Sequence, residues 1–318
     1  MVPTAGVRGR SLEGPALARP RPGLDVEWLR TRGVSLVLAT TFLVVTAARL
    51  AGSMRFDTIG IDARIYRLAA AAAMTGGDPW AQADVFRFAG TPPSLVLFVP
   101  TVLLSENPTV VLALAAFAVV GVLLVRRLEL PLWWVLFPPL SESILTANED
   151  VLVVWLLLVG GAWAGLAVVA KTYALVPLAL QGRWGPVVVG VVLSLLLLPL
   201  WVAFFERRDE IARVLNEQAD GGLSAWGAWW LFVPTLGALW GLRGRGASWL
   251  VVPALWPATQ LHYSLLALPV ARRSPLLAFL LCFANPLLPP IAVIAEFGRV
   301  RVVPWARAEL ARRRGGGA

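Results

Sequence analysis

Apolar residues in this chain gather into long runs, centred near residues 34–51, 108–125, 131–147, 150–170, 185–203, 227–242, 247–264 and 275–297. Most of these runs approach the ~20 residues a helix needs to cross a bilayer. The segments 93–105, 172–182, 265–271 and 286–297 are also apolar but too short to cross alone, and several are bounded by Pro. Short, Pro-broken helices at membrane depth are tolerated where they pack against protein or line a cavity. The pattern predicts an all-α polytopic membrane protein with roughly ten membrane-embedded helices, some of them short. Composition agrees: 58% of the 318 residues are hydrophobic and 15% are charged, with a mean hydropathy of +0.72. No soluble domain of useful size remains.

The distribution of charge orients the chain. Residues 1–33 are rich in Arg, Pro and Gly and read as a disordered cytoplasmic tail ahead of a signal anchor at 34–51. With the amino terminus inside, Arg126, Arg127, Arg183, Arg243, Arg245, Arg272, Arg273 and a basic tail at 299–318 all fall on the cytoplasmic side, as the positive-inside rule expects. The transmembrane domain then spans 34–298, with a first external loop at 52–107 that carries interfacial helices and a second at 204–226. The net charge of +9 is explained by this topology, and no nucleic-acid partner is expected, because the arginines cluster between apolar runs and not on one face. Between Arg127 and Arg183 two topologies are open. Two full-length spans place Lys171 inside, whereas four short ones, broken near Asn148, Gly160 and Lys171, place it outside.

Rare polar residues then carry the functional argument. Asp57, Asp62 and Asp78 fall in the first external loop. Glu142, Asn148, Glu149 and Asp150 ("SESILTANED") fall at the external end of the next hairpin, and Gln260, His262 and Tyr263 ("TQLHYSLLALP") at the external end of a later one. Asp62 and Tyr66 are four residues apart and share a helix side, the alanines that follow let that helix pack closely, and Gly76, Gly77 and Pro79 stop it. An interfacial helix with Asp62 as its cap accounts for this stretch equally well. Lys171 is the only Lys among 28 basic residues and His262 the only His. A snorkelling Lys and a hydrogen-bonded structural His are the plain alternatives to functional roles. No second His and no Cys pair accompany them, so no metal site is expected, and the single Cys282 forms no intramolecular disulfide. No Gly-rich phosphate loop, "HExxH" or "GxSxG" is present, so nucleotide-driven chemistry is not expected.

The run "DARIYRLAAAAAMTGGDPW", followed by "FRFAGTPPSLVLFVP", resembles the first-loop pattern of the membrane-embedded GT-C glycosyltransferases, most closely glycosyltransferase family 87, which includes actinobacterial polyprenyl-phosphate-mannose-dependent mannosyltransferases. "AGLAVVAKTYALVPLALQGRW", "NEDVLVVWLLL" and "TQLHYSLLALP" are similar to later segments of that family. The chain is shorter than typical members, and Ala174 stands where the family usually has Pro.

The resemblance implies a GT-C-type helix bundle and a hexosyltransferase of the plasma membrane, multi-pass, with its active site on the extracytoplasmic face. It would move a sugar, most simply mannose, from a polyprenyl-phosphate donor to an envelope glycolipid or glycan, without a cofactor. By motif match Asp62 is the general base. Tyr66, Arg64, Lys171, His262, Asp78, Asn148 and Glu149 are the expected substrate-binding residues, with Lys171, His262 and Arg64 placed to meet the donor phosphate. Membrane lipids are the remaining partners. A lipid or solute transporter and a degenerate, non-catalytic GT-C member are the competing readings.

Overall fold

A computed structural model describes residues 26–81, 87–218, 225–226, 228–244, 246–257 and 260–315. Among the described residues the chain is helical throughout, with no strand. In order the helices are α1 (Val26–Arg55), α2 (Ile61–Met74), α3 (Glu106–Arg127), α4 (Pro138–Leu145), α5 (Asp150–Val159), α6 (Trp163–Ala170), α7 (Leu175–Leu180), α8 (Trp184–Leu195), α9 (Leu198–Glu206), α10 (Arg208–Gln218), α11 (Trp229–Gly241), α12 (Val251–Leu255), α13 (Leu268–Ala271), α14 (Pro275–Leu280), α15 (Leu288–Phe297) and α16 (Val303–Gly315). Two tighter 3₁₀ segments, Pro92–Leu103 and Leu261–Ala267, complete the part that builds the site.

The apolar runs do not become one helix each. Among the described residues two helices are long and apolar enough to cross a bilayer, Arg32–Arg55 and Glu106–Arg127, or three if α8 and α9, bent by 78°, form one span. Other runs are cut by residues that cannot continue a helix. Pro138 and Pro139 restart the 131–147 run as α4, left-handed Gly160 (φ 84) ends α5, and Lys171 leaves α6 in extended conformation (φ −143, ψ 119). The helix is thus broken near Asn148, Gly160 and Lys171.

Boundaries also move. Residues 26–33, expected as tail, already belong to α1, because the last proline before it is Pro22 and only Gly33 interrupts a run of helix formers. The 204–226 loop contains the end of α9 and all of α10, and 299–318 continues as helix through Gly315. Residues 1–25 of the expected tail and 219–224 of the second loop lie outside the described residues.

The core forms where α5 packs between α3 and α6, and α6 against α8. Val151, Val153 and Val154 of α5 and Ala164, Ala167 and Ala170 of α6 are fully buried there. By contrast, Leu36, Val37, Leu43 and Val44 of α1 and Val111, Leu112 and Val119 of α3 are exposed, which leaves the outer faces of the two longest helices apolar.

Helix α2 lies across this core against α3 and the Pro92–Leu103 segment, with Ala63, Ala69 and Ala70 buried to the backbone. It stops as its sequence requires. Gly76 takes the left-handed conformation (φ 77), and the Gly77 N–H reaches back to Ala72 O at 2.8 Å, satisfying a terminal carbonyl. Its start depends on Gly60, also left-handed (φ 67), whose missing side chain makes room for Val110 of α3: a Cβ there would lie 2.4 Å from Val110 Cγ1. Gly60→Ala therefore meets both a backbone penalty and a steric one, and we expect a loss of about 1–3 kcal/mol. Unfolding of the detergent-solubilised variant checks this; an unchanged midpoint would show that α2 does not depend on this close approach.

Candidate functional site

The site is assembled around the turn that joins α4 to α5. Helix α4 ends with Ala147 in the left-handed region (φ 57), and Asn148 N–H donates back to Ser143 O at 2.8 Å. A buried alanine in that conformation costs about 1–2 kcal/mol, so the surrounding contacts must hold it. They come from α2. The last carbonyls of α4 and the first N–H groups of α2 are the groups that a helix leaves without partners. Here they satisfy one another: Gly60 N–H donates to Leu145 O at 2.8 Å and Asp62 N–H to Thr146 O at 2.9 Å. The junction brings Asp62, in the first turn of α2, beside Asn148, whose Nδ2 donates to Asp62 Oδ2 at 2.9 Å.

Above this junction opens a cavity of about 740 Å³, lined by Asp62, Tyr66, Asn148, Lys171 and His262 among others. The cavity thus brings together Asp62, Asn148 and His262 from three distant stretches of the sequence. Tyr66 is buried between Phe88 and Phe98, with ring centroids 5.1 and 4.7 Å away. The motif after α2 closes one side: Trp80 Nε1–H donates to Gly90 O at 3.1 Å and its ring lies 6.0 Å from Phe88, which ties "GGDPW" to "FRFAG".

Beneath the cavity lies a fully buried pair of carboxylates, Glu149 and Asp150. Lys171 Nζ stands 3.3 Å from Glu149 Oε1 and 4.0 Å from Asp150 Oδ1, and 5.7 Å from the centre of the Tyr66 ring. The Tyr173 hydroxyl donates to Asp150 Oδ1, and His262 Nε2 is 3.7 Å from Asp150 Oδ2, too far for a hydrogen bond. Lys171 therefore reaches the cavity, but its ammonium is already engaged by two carboxylates.

Two expected site residues are elsewhere. Arg64 follows Asp62 by two positions, so it emerges on the opposite side of α2. There it donates to Asp57 Oδ2 at 3.1 Å and approaches Glu106 at 3.4 Å. The guanidinium holds the exposed Asp57 carboxyl below its ordinary range. Asp78 accepts from its own turn, from Trp80 N–H at 2.9 Å, and from Arg207 Nε at 2.9 Å, and neither Asp78 nor Arg64 lines the cavity. Glu149 acts on the cavity through Lys171 and does not line it.

Other lining residues carry no motif that singles them out. Arg49, near the end of α1, forms a two-point ion pair with Glu142 of α4 at 3.0 and 2.5 Å. Arg87 pairs with Glu210 of α10 at 3.3 Å, and Val214, Leu215 and Glu217 of α10 line the mouth. Arg49 has the same signal as Lys171, a cation inside an apolar run.

No protein-family model, curated protein or solved structure matches this chain.

The charged lining separates into two kinds. Arg49, Arg87, Glu142, Lys171 and Glu217 each take part in an ion pair. Asp62 is the one charged lining residue, among those described, that forms none. With Oδ2 held by Asn148, its Oδ1 is left open to the cavity. Burial pushes the Asp62 carboxyl above its ordinary range, while His262, Lys171 and the Asn148 bond pull the other way. A carboxylate whose affinity for a proton is raised, with one oxygen fixed and one free, is suited to accept a proton. Among the described residues no group of three or more His, Cys, Asp or Glu could hold a metal ion.

Lys171→Met would leave Glu149 and Asp150 buried beside no cation, and stability should fall by about 3–5 kcal/mol. The double variant Lys171→Met/Glu149→Gln should recover part of that loss. Denaturant unfolding of the purified variants in detergent measures both, and a Lys171→Met protein as stable as the parent would contradict the pairing.

Proposed function

We propose that this chain is a polytopic membrane glycosyltransferase of the GT-C type. In this reading it moves a sugar, mannose before others, from a polyprenyl-phosphate donor to a glycolipid or glycan acceptor at the extracytoplasmic face of the plasma membrane. The short helices α4 to α7 then lie at membrane depth, packed on protein. The observation that carries the reading is Asp62, the one unpaired carboxylate on the cavity wall among the described residues, with a free oxygen.

The chemistry is a single displacement. The acceptor hydroxyl gives its proton to Asp62 Oδ1 as its oxygen bonds to the anomeric carbon. The bond from that carbon to the donor phosphate oxygen breaks, and polyprenyl phosphate leaves with the electron pair. The leaving phosphate needs a cation, and the lining offers three, each paired. Arg87 is the one that can exchange partners at least cost. Its carboxylate, Glu210, is 31% exposed and keeps Arg207 and Arg213 as partners at 3.6 and 3.9 Å, whereas Glu142 and Glu149 are 9% and 0% exposed and would be stranded. The lipid tail would lie along the Pro92–Leu103 segment, where Val96, Leu97, Val99 and Leu103 are exposed beside the lining residues Ala89 to Thr91.

A second reading, carriage of a cationic solute, rests on a different observation. Asp62 and Glu142 on the inner wall, with Glu149 and Asp150 buried beneath it, outnumber the cations Arg49 and Lys171 beside them.

Incubation of the purified protein with synthetic polyprenyl-phosphate mannose and a panel of envelope acceptors separates the two. Asp62→Asn should fold and bind donor while transfer falls by about 10² or more, the scale of general-base loss. Arg87→Ala should raise the donor KM with a smaller effect on turnover. Near-normal transfer by Asp62→Asn would remove the base from this account, and no transfer by the parent protein would favour the carriage reading.

A further inference from the structure

Asn148 makes two hydrogen bonds that together leave its amide a single orientation. Its Oδ1 accepts from the Asp150 N–H at 3.0 Å, and because that backbone group can only donate, the oxygen must face it. The Nδ2 group is thereby turned to Asp62 Oδ2, at 2.9 Å. The side chain is 3% exposed and sits directly after the left-handed Ala147, so neither rotation nor water can readily substitute for this contact. The same residue thus begins α5 with one atom and grips Asp62 with the other.

We infer that Asn148 is the positioning residue of the site: it occupies Asp62 Oδ2 and so assigns proton acceptance to Oδ1. A donor on Oδ2 favours the charged carboxylate, and it fixes the plane of the carboxyl group relative to the cavity. The other groups that face Asp62 are His262, Lys171 and Glu149, with the Arg49–Glu142 pair on the same cavity wall. None of them supplies a hydrogen bond to Asp62, so the orientation rests on Asn148 among the described residues.

The inference builds on the transferase reading but is tested without it. Asn148→Asp keeps the acceptor for the Asp150 N–H, and hence the start of α5, while removing the donor to Asp62 and adding a like charge. Asn148→Ala removes both bonds. Full-length protein in detergent is treated with a water-soluble carbodiimide and an amine across a pH series. Carbodiimides activate protonated carboxyls, so the midpoint of Asp62 labelling, read by peptide mass spectrometry, reports its titration. Exposed Asp57, tied to Arg64 on the other side of α2, is the internal reference.

The Asp62 midpoint should rise by about one pH unit or more in Asn148→Asp, and by less in Asn148→Ala, with Asp57 unmoved. Unchanged Asp62 midpoints in both variants would overturn the role, as would failure of Asp62 to label at any pH in the parent protein, which would contradict an Oδ1 open to the cavity. A shifted midpoint in a protein that transfers no mannose from polyprenyl-phosphate mannose would uphold the positioning and sink the transferase reading alone.

Discussion

The exchange of terminal hydrogen bonds between α4 and α2 is the constraint on which the site depends. Two carbonyls at the end of one helix meet two N–H groups at the start of another, Leu145 with Gly60 and Thr146 with Asp62. Inside an apolar assembly each of these groups would otherwise be stranded at a cost of several kcal/mol. The junction is therefore hard to open, and it carries Asp62 with it. Gly60 permits the approach because it has no Cβ, and Ala147 accepts a left-handed backbone so that Asn148 can turn under Asp62.

A second constraint lies one layer below. Two adjacent carboxylates, Glu149 and Asp150, are fully buried at the start of α5, approached by Lys171, Tyr173, His262 and Tyr66. Buried charges persist when their partners are fixed. Lys171 is fixed because α6 stops at it, which delivers the ammonium from the end of one short helix to the start of its neighbour. The interruption that makes α6 too short to cross a membrane alone is the same feature that builds the floor of the cavity.

Much of this arrangement is legible in the amino-acid sequence. The carboxyl-terminal end of α2 follows from Gly76, Gly77 and Pro79, and scarcity in an apolar chain singles out Asp62, Asn148, Lys171 and His262, which share the cavity. How each run divides is not legible, because hydropathy sums over a window and is blind to a single extended residue such as Lys171. Sequence proximity groups Arg64 with Asp62, although two residues along a helix reverse the direction of a side chain. Asp78 resolves into the turn and ion-pair contacts that its Gly-Gly-Asp-Pro context allows. The pairing of Arg49 with Glu142 joins residues 93 positions apart and has no local signal at all.

In the proposed transferase reading the cavity above Asp62 faces the outside of the cell and receives a lipid-linked sugar phosphate. The chain has one cysteine, the fully buried Cys282, so a Cys282→Ser background carrying Thr58→Cys or Gln260→Cys, both cavity-lining positions, gives a clean probe. A membrane-impermeant maleimide applied to intact cells should label both positions, and polyprenyl-phosphate mannose added to the purified protein should protect them. Labelling only after permeabilisation, or labelling that the donor leaves unchanged, would contradict the account.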